Sequence, residues 1–245
     1  MVEMHQNSTI DGASSPDLGG GASPLLSGTE SGKRPRKRPR LRGVSHQYAA
    51  FASVPAATAL VLRARGPAGT GAALVYGATL VLLFSVSAVY HRVYWPLSVR
   101  RVIGRIDHAA IFLLIAGTYT PFGLLVAPVT GYRLLAGVWT GAAVGIALVL
   151  WRTGTPKPVR ASLYVVLGWF IVPAIPAMRA AIGDGPLALL LLGGLFYTVG
   201  AGIYALRRPD PVPEIFGFHE IFHLLVVAAA ICHFVVVDTA IRALR

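Results

Sequence analysis

Seven stretches of near-continuous apolar residues, at approximately 45–63, 69–91, 107–127, 132–151, 161–179, 186–206 and 217–237, leave this chain few folds to choose from. Each is close to the roughly 20 residues an α-helix needs to cross a hydrocarbon core about 30 Å thick. Only helices and closed β-barrels satisfy every backbone polar group inside a bilayer. Barrel strands alternate apolar and polar residues, and these stretches do not. A soluble chain of 245 residues would need more surface charge than 13% Asp, Glu, Lys and Arg. Mean hydropathy is +0.64 even with a polar N-terminal tail included. The expected fold is therefore all-α, an integral membrane bundle of seven transmembrane helices. Short loops rich in Pro, Gly and Arg separate them, among them Arg63-Ala-Arg65-Gly66-Pro67, Pro96 to Arg105 and Arg207-Arg-Pro-Asp-Pro-Val-Pro213. Pro173 and Pro176 fall inside the fifth stretch and are expected to kink it.

Residues 1–43 are rich in Ser, Gly, Pro and charge and lack apolar periodicity, so they read as a disordered, basic cytoplasmic tail ahead of a membrane domain at 44–245. They do not read as a cleavable signal peptide, since no apolar segment follows Met1 at the expected distance. Seven of the 22 Lys and Arg lie between Lys33 and Arg42. A basic block just ahead of a first span marks a cytoplasmic flank that meets anionic headgroups, and no nucleic-acid partner is expected. With the N-terminus inside, 16 of the 22 basic residues face the cytoplasm and 6 face out. That bias implies N-in and C-out, in a multi-pass protein of the cell inner (plasma) membrane. Cys232, the single cysteine, excludes an internal disulfide and reads as a packing residue.

The functional signal is polar. The last stretch opens with His219-Glu220-Ile221-Phe222-His223, whose histidines at i and i+4 share a helical face. Ser87 and His91 have the same spacing at the end of the second stretch, and Asp107-His108 opens the third. If the spans alternate, these clusters and His46 lie in one layer at the cytoplasmic helix ends, so five of the seven histidines share a depth. Only His233 among the spans stands apart, about 15 Å deeper than His223. Three neutral imidazoles with an open position make a catalytic zinc site. Asp107 is the natural counter-charge and water acceptor beside it. Singly, His46 and His108 read as interfacial anchors, Ser87 as a helix-packing residue, and Asp107 as a partner of Arg101 or Arg105. The shared depth favours metal.

His219 to His223 also matches the H-E-x-x-H pattern of zinc peptidases, with the glutamate as base. No third ligand follows at a suitable spacing, because His233 is too deep and Asp238 lies near the opposite surface. Glu220 is turned about 100° from His219 and is expected to orient a ligand or contact Arg207 or Arg208.

Ser87-x-x-x-His91, Asp107-His108 with Gly117-Thr-Tyr-Thr-Pro121-Phe122, and Gly217-Phe-His219-Glu-Ile-Phe-His223 together resemble the hemolysin III family, the bacterial branch of the progestin and adiponectin receptor (PAQR) group. The likeness covers roughly residues 40 to 240. It implies seven helices, N-in and C-out, with Zn2+ on the cytoplasmic side held by His91, His219 and His223. It also implies that Asp107 serves water at the metal and that Ser87 belongs to the site. Many relatives carry an acidic residue and an asparagine near the start of helix one; Arg42-Gly-Val-Ser-His46-Gln-Tyr has neither. The wider superfamily includes alkaline ceramidases. A zinc-dependent, ceramidase-like hydrolase of a membrane lipid amide or ester is therefore expected. Asp107 would be its general base and Ser87 its oxyanion donor, with a lipid substrate entering from the bilayer. The alternatives are a non-enzymatic sensor or regulator of membrane state with structural zinc, and a hemolysin-type cytolytic protein. Permanent insertion in the membrane argues against the last.

Overall fold

The computed structural model describes residues 39–126, 128–151 and 155–244. All but the last five residues of the tail at 1–43 thus lie outside the described residues, as do Arg152 and the terminal Arg245. The described residues form helices α1 (Val44–Arg63), α2 (Gly66–Arg92), α3 (Leu97–Leu125), α4 (Pro128–Trp151), α5 (Lys157–Gly168), α6 (Ile175–Ile182), α7 (Asp184–Leu206) and α8 (Phe218–Ala243). A 3-10 segment, Trp169–Ala174, joins α5 to α6, and among the described residues there is no β-strand.

Six spans are long and apolar enough to cross a membrane: α2, α3, α4, the broken span Lys157–Ile182, α7 and α8. The 20-residue α1 is not among them, because it begins Val44-Ser45-His46-Gln47 and carries Pro55. It nonetheless packs into the bundle as a seventh helix. A side-chain carbon on Gly77 of α2 would approach Ala57 Cβ to 2.9 Å, so glycine allows the two backbones to close. α1 runs parallel to α8, with His46 stacked on His223 near their starts and Arg63 paired with Asp238 near their ends. α2 runs antiparallel to both. Its Gly69 lies against the carbonyls of Ile241 and Leu244, and its last turn meets the first turn of α8. An odd number of spans therefore separates the start of α1 from the end of α8. The interior is packed with small residues such as Ala72, Ala73, Ala116, Ala229 and Ala240, while Leu74, Leu82, Val144, Leu195, Leu224 and Ile231 stand exposed on the rim. That is the arrangement of a bundle whose solvent is lipid.

The fifth span breaks where its prolines predict. Pro173 lies inside the 3-10 segment, where it has no amide to donate, and Pro176 sits in the first turn of α6. One side chain from α3 satisfies the break: Tyr119 donates to the Gly168 carbonyl at 2.6 Å and accepts from the Ile171 amide at 2.9 Å.

Two boundaries differ most from the expectation. α3 begins at Leu97, ten residues before the apolar stretch at 107, and α8 continues to Ala243 rather than 237. Charge limits where a helix can meet lipid, not where it can be helical. Arg100 and Arg101 stay exposed, and Arg105 donates to the Leu150 carbonyl at 3.1 Å. At the other end Asp238 is buried, but Arg63 of α1 lies 3.4 Å away and Arg242 of its own helix pairs with it. The carboxylate thereby ties the first and last helices together.

Candidate metal centre

Helix ends bring the site together. The last two turns of α2 carry Ser87 and His91, the first two turns of α8 carry His219 and His223, and α3 presents Asp107 ten residues past its start. One nitrogen from each of His91, His219 and His223 falls within a span of 4.8 Å. His91 and His223 are buried, and His219 is the least buried of the three.

His91 Nε2 and His219 Nε2 face one another at 3.3 Å. That is long for a hydrogen bond involving an N–H donor, which clusters near 2.9–3.0 Å. It is the separation expected of two ligands on one tetrahedral ion with bonds of about 2.0–2.1 Å, which place ligand nitrogens about 3.3 Å apart. His223 lies against both, with ring centroids 4.8 Å from His91 and 4.5 Å from His219. Its Nδ1 is buried without a hydrogen-bond partner. A donor set of three imidazoles, two already at ligand spacing, fits a single divalent ion such as zinc.

Asp107 Oδ2 lies 3.8 Å from His91 Nε2, the nitrogen that also faces His219. A carboxylate that merely orients a ligand bonds to the ring's other nitrogen. Asp107 instead faces the edge of His91 that also faces His219. No ion pair joins it to Arg101 or Arg105 among the described residues, so the alternative pairing considered for it is not seen. Ser87 Oγ is 2.8 Å from His46 Nδ1.

His46 is the residue that sequence reasoning undervalued. Expected as an interfacial anchor, it is buried, stacked on His223 with centroids 3.8 Å apart and planes 6° from parallel, and edge-on to Phe84. Its position in the shared layer was the available signal. His108 is half-buried and is not in the cluster. Its Nδ1 bonds the Gly104 carbonyl and its Nε2 lies 3.3 Å from the Tyr204 hydroxyl. His233 sits apart, bonded to the Leu190 carbonyl at 3.1 Å.

Glu220 is engaged twice, and by neither expected arginine. Oε2 accepts from the Gly217 amide at 2.8 Å, closing the start of α8, and Oε1 lies 2.6 Å from Arg42 Nε. A carboxylate so occupied is not a peptidase base. Arg42 belongs to a short strap across the cluster, whose Arg40 and Leu41 amides donate to the carbonyls of Glu214 and Ile215. The strap turns at Gly43, where φ is +78° and a side-chain carbon would meet His91 Cβ at 2.5 Å. Both the conformation and the space require glycine there.

Comparison with known proteins gives the same assignment as the motifs. The model of the family described as Haemolysin-III related matches residues 35–234. The chain is 35% identical over 193 residues to Hemolysin-3 of Bacillus cereus, covering 76% of this chain and 84% of that protein. It is 30% identical over 200 residues to the Hemolysin-3 homolog of Bacillus subtilis (strain 168), covering 78% and 88%. It is also 32% identical over 153 residues to the Adiponectin receptor protein of Drosophila melanogaster, a match covering 55% of this chain and 34% of the relative.

Proposed function

The chain belongs to the Haemolysin-III related family and is a multi-pass membrane protein, and from that premise we propose that it binds zinc through His91, His219 and His223 and hydrolyses an amide or ester bond of a membrane lipid. The observation that carries this reading is the Asp107 carboxylate, 3.8 Å from His91 Nε2, the nitrogen that also faces His219. A bound zinc supplies Lewis-acid polarisation of a carbonyl and an acidified water. Asp107 then accepts a proton from water and returns it to the departing amine or alcohol. Ser87, 2.8 Å from His46 Nδ1, donates a hydrogen bond to the developing oxyanion. The layer lies at the helix ends, so a lipid would reach it from the bilayer with its polar part foremost. The test is release of fatty acid from ceramides, acyl amides and esters in vesicles by the purified chain. Zinc-loaded protein that leaves the whole panel intact would sink the hydrolase.

One observation favours a second reading, a regulator in which zinc only ties α2 to α8. The Arg42–Glu220 pair ties the strap to the start of α8 beside the cluster, and Ser87 is already hydrogen-bonded to His46. The names of the Bacillus relatives point to haemolysis. A chain whose spans face lipid along their lengths is built as a resident of the membrane, and we do not propose lysis.

We also place the site on the cytoplasmic side of the inner membrane. Charge supports this, because Arg100, Arg101, Arg105, Lys157, Arg160, Arg207 and Arg208 all lie at the helix ends that hold the cluster. A reporter fused after Arg245 should be active only outside the cytoplasm, and cytoplasmic activity would contradict the orientation.

A further inference from the structure

Beside the histidines lies a second group of charges that the hydrolytic reading does not use. Lys157, the first residue of α5, holds its Nζ over the Tyr204 ring at 5.0 Å and the Phe218 ring at 5.7 Å. Tyr204 in turn lies 5.9 Å from His219, centroid to centroid, so the ammonium is one ring away from the metal cluster. Arg42, Arg160 and Arg207 are all close enough to Lys157 to repel its charge. Arg42 is matched by Glu220. Among the described residues no carboxylate pairs with Lys157, Arg160 or Arg207, and Arg160 Nε is buried with no acceptor.

The preference for basic residues on the cytoplasmic side accounts for cations at these helix ends, but not for where they point. Cations that serve only topology extend to water or to headgroups. Here a lysine folds inward over two aromatic faces, and an arginine buries a donor. Both stand in the first turn of α5, where the helix dipole opposes positive charge and where no acidic residue is present. Arg207 closes α7 in a left-handed conformation, φ 57°, a position that glycine ordinarily takes. Lys157 and Arg160 are half-buried and Arg207 is exposed, so the three cations stand together at the edge of the bundle, where an anion among them offsets their mutual repulsion.

We propose that Lys157, Arg160 and Arg207 form a binding site for a phosphate group, next to the three-histidine centre. Phosphate is the anion present at this depth, where helix ends meet headgroups, and guanidinium donors match its geometry. The occupant is the headgroup of a membrane lipid or free phosphate. If the neighbouring centre is catalytic, the same contact selects a phosphate-bearing lipid as substrate; that step rests on the hydrolase proposal, whereas binding does not.

Binding is measured on the full chain, with inorganic phosphate in a neutral detergent and with phosphatidic acid in phosphatidylcholine vesicles. Lys157→Gln with Arg160→Gln should weaken binding by about tenfold or more for each cation removed, the size of a charged hydrogen bond. Arg100→Gln with Arg101→Gln, exposed cations at the same end, should change it little. If the first pair does not fold, Lys157→Met, which keeps packing on Tyr204 and Phe218, gives the same reading. Binding of both probes means the phosphate alone suffices, and binding of phosphatidic acid only means the headgroup is held with its chains. Binding of neither, or equal losses in the two pairs, overturns the site. Metal content and fatty-acid release, followed in parallel, show separately whether the histidine centre and its hydrolase reading hold.

Discussion

Asp107→Asn should keep the metal and the fold yet lower turnover of a lipid amide by about 10²–10⁴-fold, the usual worth of general-base help. The expectation rests on which edge of His91 the carboxylate faces. Asp107 Oδ2 is 3.8 Å from Nε2, too far to bond the ring and on the side of the other ligands. It is therefore not needed to hold His91, and the amide of asparagine fits the same space. What asparagine cannot do is take a proton from water. Metal content measured on the same preparation separates this outcome from loss of the centre. A variant with full metal and unchanged turnover would remove Asp107 from the chemistry, and one that loses metal would make it a ligand.

Replacing any one of His91, His219 or His223 with alanine should abolish or sharply weaken metal binding, by more than the roughly 10–100-fold that follows loss of an outer-shell partner. Each supplies one of three protein ligands, and two of them already stand at ligand spacing. Because a bound ion stabilises only the folded state, metal should raise the unfolding temperature of the parent chain and not of these variants. His233→Ala should bind normally, since that ring is bonded to Leu190 in another part of the bundle. Unchanged metal content in His219→Ala would contradict the assignment, and loss of metal on replacing His108 alone would mean a different third ligand.

Much of this was legible in the chain because membrane burial writes long, uninterrupted patterns. A 20-residue apolar run admits one kind of backbone, and the prolines at 173 and 176 mark where the fifth span breaks. The i, i+4 spacings of Ser87 with His91 and of His219 with His223 fixed which side chains share a face. Two kinds of feature stayed hidden. Helical residues outside the lipid, such as Leu97 to Ile106, carry no apolar signature, so α3 starts earlier than its hydropathy suggests. Partners across the fold were also invisible. Glu220 takes Arg42, 178 positions away, rather than Arg207 or Arg208, because the strap at 39–43 crosses the start of α8. His46 joins the cluster for the same reason: nothing local to Ser45-His46-Gln47 shows that the ring will stack on His223. The contact between Ser87 and His46, 2.8 Å, is likewise one that spacing along the chain does not show.

The proposed function requires that the three imidazoles hold an ion, and elemental analysis of the purified full-length chain asks that directly. The prediction is about one zinc per chain, as expected for a three-histidine site, retained through dialysis and released by a strong chelator. Protein that is folded and metal-free after purification in the presence of zinc, and that takes up none when zinc is supplied, would contradict it.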